Sequence, residues 1–219
     1  MLEIGCGWGA SRRNGGDRVR RQRHRRYAVD RTAGLCQRSG SSGSACPLRS
    51  TICACRTTAT SRDAPFDAIC SIEMVEAVGR EYWPTYFQAV ARLLKPGGRA
   101  CIQSIVIDDR LFERYIGSTD FIQQYIFPGG CLPCPRELHR EAEAAGLRVD
   151  RGTRVSAPTM PRRSSAGASA SLPTARRSSR QGFDHRFLHI WEFYLAYCEA
   201  AFAMGDIDVV QYTLHKTEL

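Results

Sequence analysis

The chain opens Met1-Leu2-Glu3-Ile4-Gly5-Cys6-Gly7-Trp8-Gly9, a short apolar strand running straight into G-x-G-x-G. Alternate glycines let a backbone turn tightly and come close to a bound ligand, because no Cβ stands in the way. Such turns follow the first strand of open α/β sheets, whose ligands lie beyond the carboxyl ends of the strands. Dinucleotide sites usually read G-x-G-x-x-G; here the third glycine comes one position early. The tighter turn suits a cofactor without a pyrophosphate, such as S-adenosylmethionine. Gly5, Cys6, Gly7, Trp8 and Gly9 are the candidate cofactor residues. Glu3 is placed to receive an ammonium group directly or through water; its alternative is a solvated strand residue.

The 219 residues suffice for one α/β domain with a sizeable core. The formal charge of +9 is unevenly spread. Residues 11–64 hold 13 Arg, no Lys and 3 Asp, a net of +10. Residues 151–181 hold 7 Arg and no acid, a net of +7, which leaves −8 for the rest. The chain thus reads as a single domain over 1–219, acidic and globular, with aberrant basic segments at 11–64 and 151–181. Both have few apolar residues and many like charges, so disorder is expected there. The arginines lack interleaved aromatics for base stacking, so no nucleic-acid partner is expected.

Ten cysteines follow no disulfide framework. Cys53-x-Cys55 and Cys131-x-x-Cys134 lack a second paired cluster of clear context, so no metal site is expected. Cys70 and Cys101 lie in apolar runs where a buried thiol is ordinary. With no signal peptide and no run of 18 apolar residues, the expected location is cytoplasmic.

The run Phe66–Ile72 is apolar enough for a strand buried on both faces. Trp83, Phe87, Val90 and Leu94 recur at helical spacing over 82–94. Lys95-Pro96-Gly97-Gly98 stops that helix, with the lysine near the negative end of its dipole. A strand over 99–107 completes a right-handed βαβ crossover. Residues 108–134 form an aromatic excursion, either a lid or substrate wall or a helix packed on the core. A helix from Pro135 stops at Gly146, and Leu147 starts a strand cut short by Arg151. Phe187, Ile190, Trp191, Tyr194, Leu195, Cys198 and Phe202 mark a helix expected to pack on the sheet, ended by Gly205. Residues 209–214 form the closing strand.

Glu76 follows the end of the 66–72 strand, where the ligand crevice of a parallel sheet lies. It is a candidate for contact with substrate; surface charge or a helix cap is the alternative. Cys198 sits on an apolar stripe, where core packing competes with chemistry.

Five blocks then bear on ancestry: LEIGCGWG (2–9), FDAICSIEMVEAVGREYWPTYF (66–87), LLKPGGRACIQSIVI (93–107), FIQQYIFPGGCLP (121–133), and FDHRFLHIWEFYLAYCEAAF with DVVQYTLHK (183–216). In these the chain resembles the cyclopropane-fatty-acyl-phospholipid synthase family, which includes the mycolic acid cyclopropane synthases. The resemblance implies an α/β, Rossmann-like class I S-adenosylmethionine-dependent methyltransferase fold, here incomplete. It implies methyl transfer to the cis double bond of unsaturated phospholipid acyl chains. A carbocation results, a bound bicarbonate takes a proton, and a cyclopropane ring closes. By motif, Glu76 resembles the glutamate that helps hold bicarbonate and Ile72 the residue whose carbonyl contacts it. Cys198 resembles the cysteine marked as active. The implied setting is a peripheral position on the inner membrane face, with a homodimer left open.

The departures are specific. Position 103, a histidine in well-known members, is Gln103, which can donate a hydrogen bond but takes no proton at neutral pH. The family's N-terminal cysteine lies in a region expected to be missing. Its tyrosine after the strand at Leu147 has no counterpart, since no Tyr occurs between Tyr125 and Tyr194. Its second strand is not recognisable in 11–64. Family pattern returns sharply at Pro65 and Gly182, as two compensated frameshifts in GC-rich coding DNA would produce; a basic insertion is the rival. A sheet without its second strand is expected to fold poorly and not turn over substrate. The alternatives in function are a related methyltransferase with another acceptor and a non-catalytic basic binding protein.

Overall fold

The computed structural model describes residues 2–4, 24–26, 65–154 and 183–217. Within these, one sheet holds β1 (Leu2–Ile4), β2 (His24–Arg26), β3 (Phe66–Ile72), β4 (Leu94–Ile107), β5 (Leu147–Arg154) and β6 (Ile207–Lys216) in the order β2-β1-β3-β4-β6-β5. The first four strands run parallel, and β6 is antiparallel to both β4 and β5. From β1 the chain passes outward to β2, then returns to β3 on the other side. The strand order therefore switches between β1 and β3, the position at which open α/β sheets bind their ligands.

Two expectations about the basic segments are corrected. His24–Arg26 pairs in parallel with Leu2–Ile4, so a strand does lie beside β1. Likewise β5 is not cut short at Arg151 but runs to Arg154 after a register shift at Val149/Arg151. The reason is common to both: ladder pairing uses backbone groups, and the edge of a sheet tolerates charged side chains. The remainder of 11–64 and of 151–181 lies outside the described residues.

On β3, Ile69 and Ser71 are buried, whereas Phe66, Ala68 and Cys70 are only half-buried and Ile72 is exposed. The strand is thus enclosed on one face, not on both as its composition suggested. On β4, Ala100, Ile102, Ser104 and Val106 fill the same buried layer. Helix α1 (Trp83–Leu93) covers that layer through Trp83, Tyr86, Phe87 and Val90. Its C-terminal carbonyls are met from elsewhere than expected. Lys216 of β6 donates from Nζ to the Ala91 and Leu94 carbonyls at 2.7 and 2.9 Å, while Lys95 pairs with Asp67.

The excursion contains two short helices, α2 (Phe112–Ile116) and α3 (Phe121–Tyr125). Phe112 is buried near Trp83, whereas α3 buries nothing. Helix α4 (Pro135–Ala144) adds Leu138 and Ala142 to the core. Gly146 and Gly205, at φ 77° and 74°, follow the ends of α4 and of α5 (His185–Met204), where a left-handed residue closes the last turn.

The apolar stripe of α5 does not pack into the sheet. Of the stripe only Phe202 is buried; Ile190, Trp191, Tyr194, Leu195 and Cys198 are half-buried and Phe187 is exposed. Instead the rings stack along the helix, Phe187 on Phe183 and Trp191, and Trp191 on Tyr194. Helical periodicity specifies an apolar face but not what covers it.

Candidate active site

Three of the residues singled out in sequence, Ile72, Gln103 and Glu76, lie at or just beyond the carboxyl end of β3 and beside it on β4. Ile72, its last residue, stands in register with Gln103 of β4. Directly after it, Glu73 adopts φ 48°, the one non-glycine residue with positive φ among those described. Its amide donates to the Gln103 carbonyl at 2.9 Å. Gln103 Nε2 donates to Glu73 Oε1 at 2.8 Å, and Gln211 Nε2 of β6 donates to Gln103 Oε1 at 2.8 Å. Gln103 therefore orients a carboxylate and is itself oriented from the next strand.

Glu76 lies in a single turn of 3-10 helix, Val75–Ala77, fixed by the Trp83 indole donating to the Val75 carbonyl. Its side chain turns back to β4, where Oε1 accepts from the Ile105 amide at 2.6 Å. Oε2 is buried without a hydrogen-bond partner. Burial raises this carboxyl to about 7, with the nearby Glu73 charge adding to the effect and hydrogen bonds opposing it. Glu76 is thus a carboxyl that exchanges its proton near neutral pH, and it is not a surface charge.

The 126–131 loop joins this carboxyl to the aromatic helix. The Cys131 amide donates to the Glu76 carbonyl at 2.8 Å. Phe127 meets Tyr194 of α5 edge-on at 6.2 Å, and Phe121 meets Phe193 at 4.6 Å. Tyr125, Phe127, Phe193 and Tyr197 form an exposed aromatic wall beside the site. Cys198 stands one turn beyond Tyr194, and burial pushes its thiol above the ordinary range, which lowers its thiolate share.

Residues 5–9 and the side chain of Glu3 lie outside the described residues. What the structure offers a cofactor there is the switch point. Ile4 is in register with Ser71, so the carboxyl ends of β1 and β3 lie side by side. Sequence reasoning missed Glu73 and Gln211. No pattern marks a left-handed glutamate, although its place after a strand end in a parallel sheet was a usable signal.

A parallel sheet with a switch point, and one antiparallel strand inserted beside its edge, defines a class I S-adenosylmethionine-dependent methyltransferase fold. The profile of the family described as mycolic acid cyclopropane synthetase matches residues 49–212. Tuberculostearic acid methyltransferase UfaA1 of Mycobacterium tuberculosis is 34% identical over 221 residues, covering 98% of this chain and 49% of that protein. Cyclopropane mycolic acid synthase 3 of the same species is 27% identical over 238 residues, covering 99% of this chain and 77% of that protein. The solved cyclopropane synthase MmaA2 of M. tuberculosis superposes with a TM-score of 0.80 at 23% identity, over 98% of this chain and 77% of that one. The chain belongs to the mycolic acid cyclopropane synthetase family of S-adenosylmethionine-dependent methyltransferases. It spans about half the length of the first of these relatives. No helix among the described residues is long and apolar enough to cross a membrane.

Proposed function

We propose that the site methylates the double bond of an unsaturated acyl chain of a phospholipid, with closure of a cyclopropane ring. The observation that carries this reading is the buried, unpartnered Oε2 of Glu76, whose backbone carbonyl is bonded by the loop that carries the exposed Phe127. Gly5, Cys6, Gly7, Trp8, Gly9 and Glu3 would hold S-adenosylmethionine, which would supply an electrophilic methyl group. The aromatic wall gives an acyl chain apolar contact and excludes water, and aromatic faces favour positive charge developing on the chain. Glu76, protonated in part near pH 7, can donate from Oε2 to a bicarbonate anion. The Ile72 carbonyl would complete that anion's surroundings, and the anion would remove the final proton. Cys198, held neutral, lines the site rather than attacking. Access from a lipid surface fits the exposed rings.

A second reading is methyl addition without ring closure, favoured by Gln103. Its amide is committed to Glu73 and Gln211 and carries no proton to exchange. Calorimetric titration with S-adenosylmethionine, followed by incubation with vesicles of unsaturated phospholipid, tests both. Cyclopropane ring protons in the NMR spectrum of the product support the first, and a methyl branch the second. Absence of cofactor binding and of cooperative unfolding sinks both.

A further inference from the structure

Cys70 and Cys101 stand directly opposite each other on the adjacent parallel strands β3 and β4. Residues paired in register send their side chains to the same face of a sheet. The two sulfurs therefore leave the sheet side by side. Both residues are half-buried, not enclosed in the core as their apolar surroundings suggested. On its other side Cys101 is paired with Thr213 of β6. The next pair on the same face, toward the carboxyl ends, is Ile72 with Gln103.

This pair differs from the other described cysteines. Burial pushes Cys131, Cys134 and Cys198 above the ordinary thiol range. The neighbouring Cys70 thiol instead pulls Cys101 below the ordinary thiol range, toward the thiolate. Neighbouring strands lie ~4.8 Å apart, which leaves room for one atom to bridge the two sulfurs.

We propose that Cys70 and Cys101 form a two-thiol clamp for a soft, thiophilic centre with two open valences, of which trivalent arsenic is the type. Soft thiolate pairs select soft centres over hard ones. With an aryl arsenic(III) oxide each thiol gives up its proton and two As–S bonds form. The arsenic–oxygen bonding is lost and the oxygen leaves as one water, with no change of oxidation state. The bridge ties β3 to β4 one pair below Ile72 and Gln103. The clamp stands independently of the proposed lipid reaction.

Phenylarsine oxide, added to the reduced full chain, tests the clamp. One tight equivalent is expected. Mass mapping then finds Cys70 and Cys101 joined through a single arsenic, both shielded from iodoacetamide. A dithiol reverses the shielding and the same excess of monothiol does not. Cys70→Ser and Cys101→Ser each weaken binding by roughly a hundredfold, as two-point attachment becomes one-point, while Cys131→Ser retains the tight equivalent. Arsenic mapped to Cys131 and Cys134, with Cys70 and Cys101 still open to iodoacetamide, overturns the proposal. So does undiminished tight binding in either serine variant at 70 or 101. The mapping on the unsubstituted chain decides the matter even if a variant folds poorly.

Discussion

Gln103 Nε2 donates to Glu73 Oε1 at 2.8 Å, and the Glu73 amide answers with a bond to the Gln103 carbonyl. This double tie holds Glu73 at φ 48°, a conformation that costs an L-residue about 1 kcal/mol or more. Glu73→Ala keeps the left-handed backbone and loses the side-chain tie. Glu73→Gly loses the tie but removes the steric cost. Glu73→Gly is therefore expected to be the more stable variant by about 1 kcal/mol in denaturant unfolding. Equal stability, or an advantage for alanine, contradicts the strain.

The raised carboxyl of Glu76 makes stability depend on pH in a definite direction. Its folded value of about 7 lies above the ordinary 4.5, so the native state holds the proton more tightly than the unfolded chain. The contribution is fully present below about pH 4.5, and it is lost as pH rises through about 7. Glu76→Gln removes that loss. The variant should match the parent at pH 4 to 5 and exceed it at pH 8, by up to roughly 3 kcal/mol. Denaturant unfolding at both ends of the window measures this, and a constant difference would exclude it.

Glu137 is 4% exposed and sits under three guanidinium groups, from Arg80, Arg136 and Arg140, at 3.6, 3.8 and 2.6 Å. The arginines reach solvent, so screening reduces what each pair contributes. Replacing the buried carboxylate still leaves three cations facing an uncharged group. Glu137→Gln should cost about 2 kcal/mol, read as a lowered thermal midpoint. An unchanged midpoint would mean the cluster is solvated in effect.

Lys216 and Lys95 give a contrast. Lys216 Nζ bonds two carbonyls at the end of α1, whereas Lys95 pairs with Asp67 in the open. Lys216→Met should destabilise by about 1–2 kcal/mol, and Lys95→Met by less than ~0.5 kcal/mol. The reverse order in thermal melts would return the capping role to Lys95.

Much of the framework was legible because it depends on local pattern. The helical spacing of Trp83, Phe87 and Val90, the apolar strand over 99–107, and Gly146 and Gly205 at helix ends are all short-range signals. Glu76 was found the same way, by its place after a strand end. Lys216 capping α1, Gln211 fixing Gln103, and the strand at His24–Arg26 were not legible. Each depends on a partner far away in the chain, and neither composition nor period carries that information.

The sequence by itself determined the α/β class, most of its elements and the family, because apolar period, turn residues and motif blocks are written in neighbouring positions. Only the tertiary structure decided the chemistry available to those residues. It buried one oxygen of Glu76, turned Gln103 toward Glu73, left the stripe of α5 only half-buried and set Cys70 against Cys101. Burial, charge and sulfur reactivity depend on what surrounds a group in space, and that is fixed only when distant strands pair.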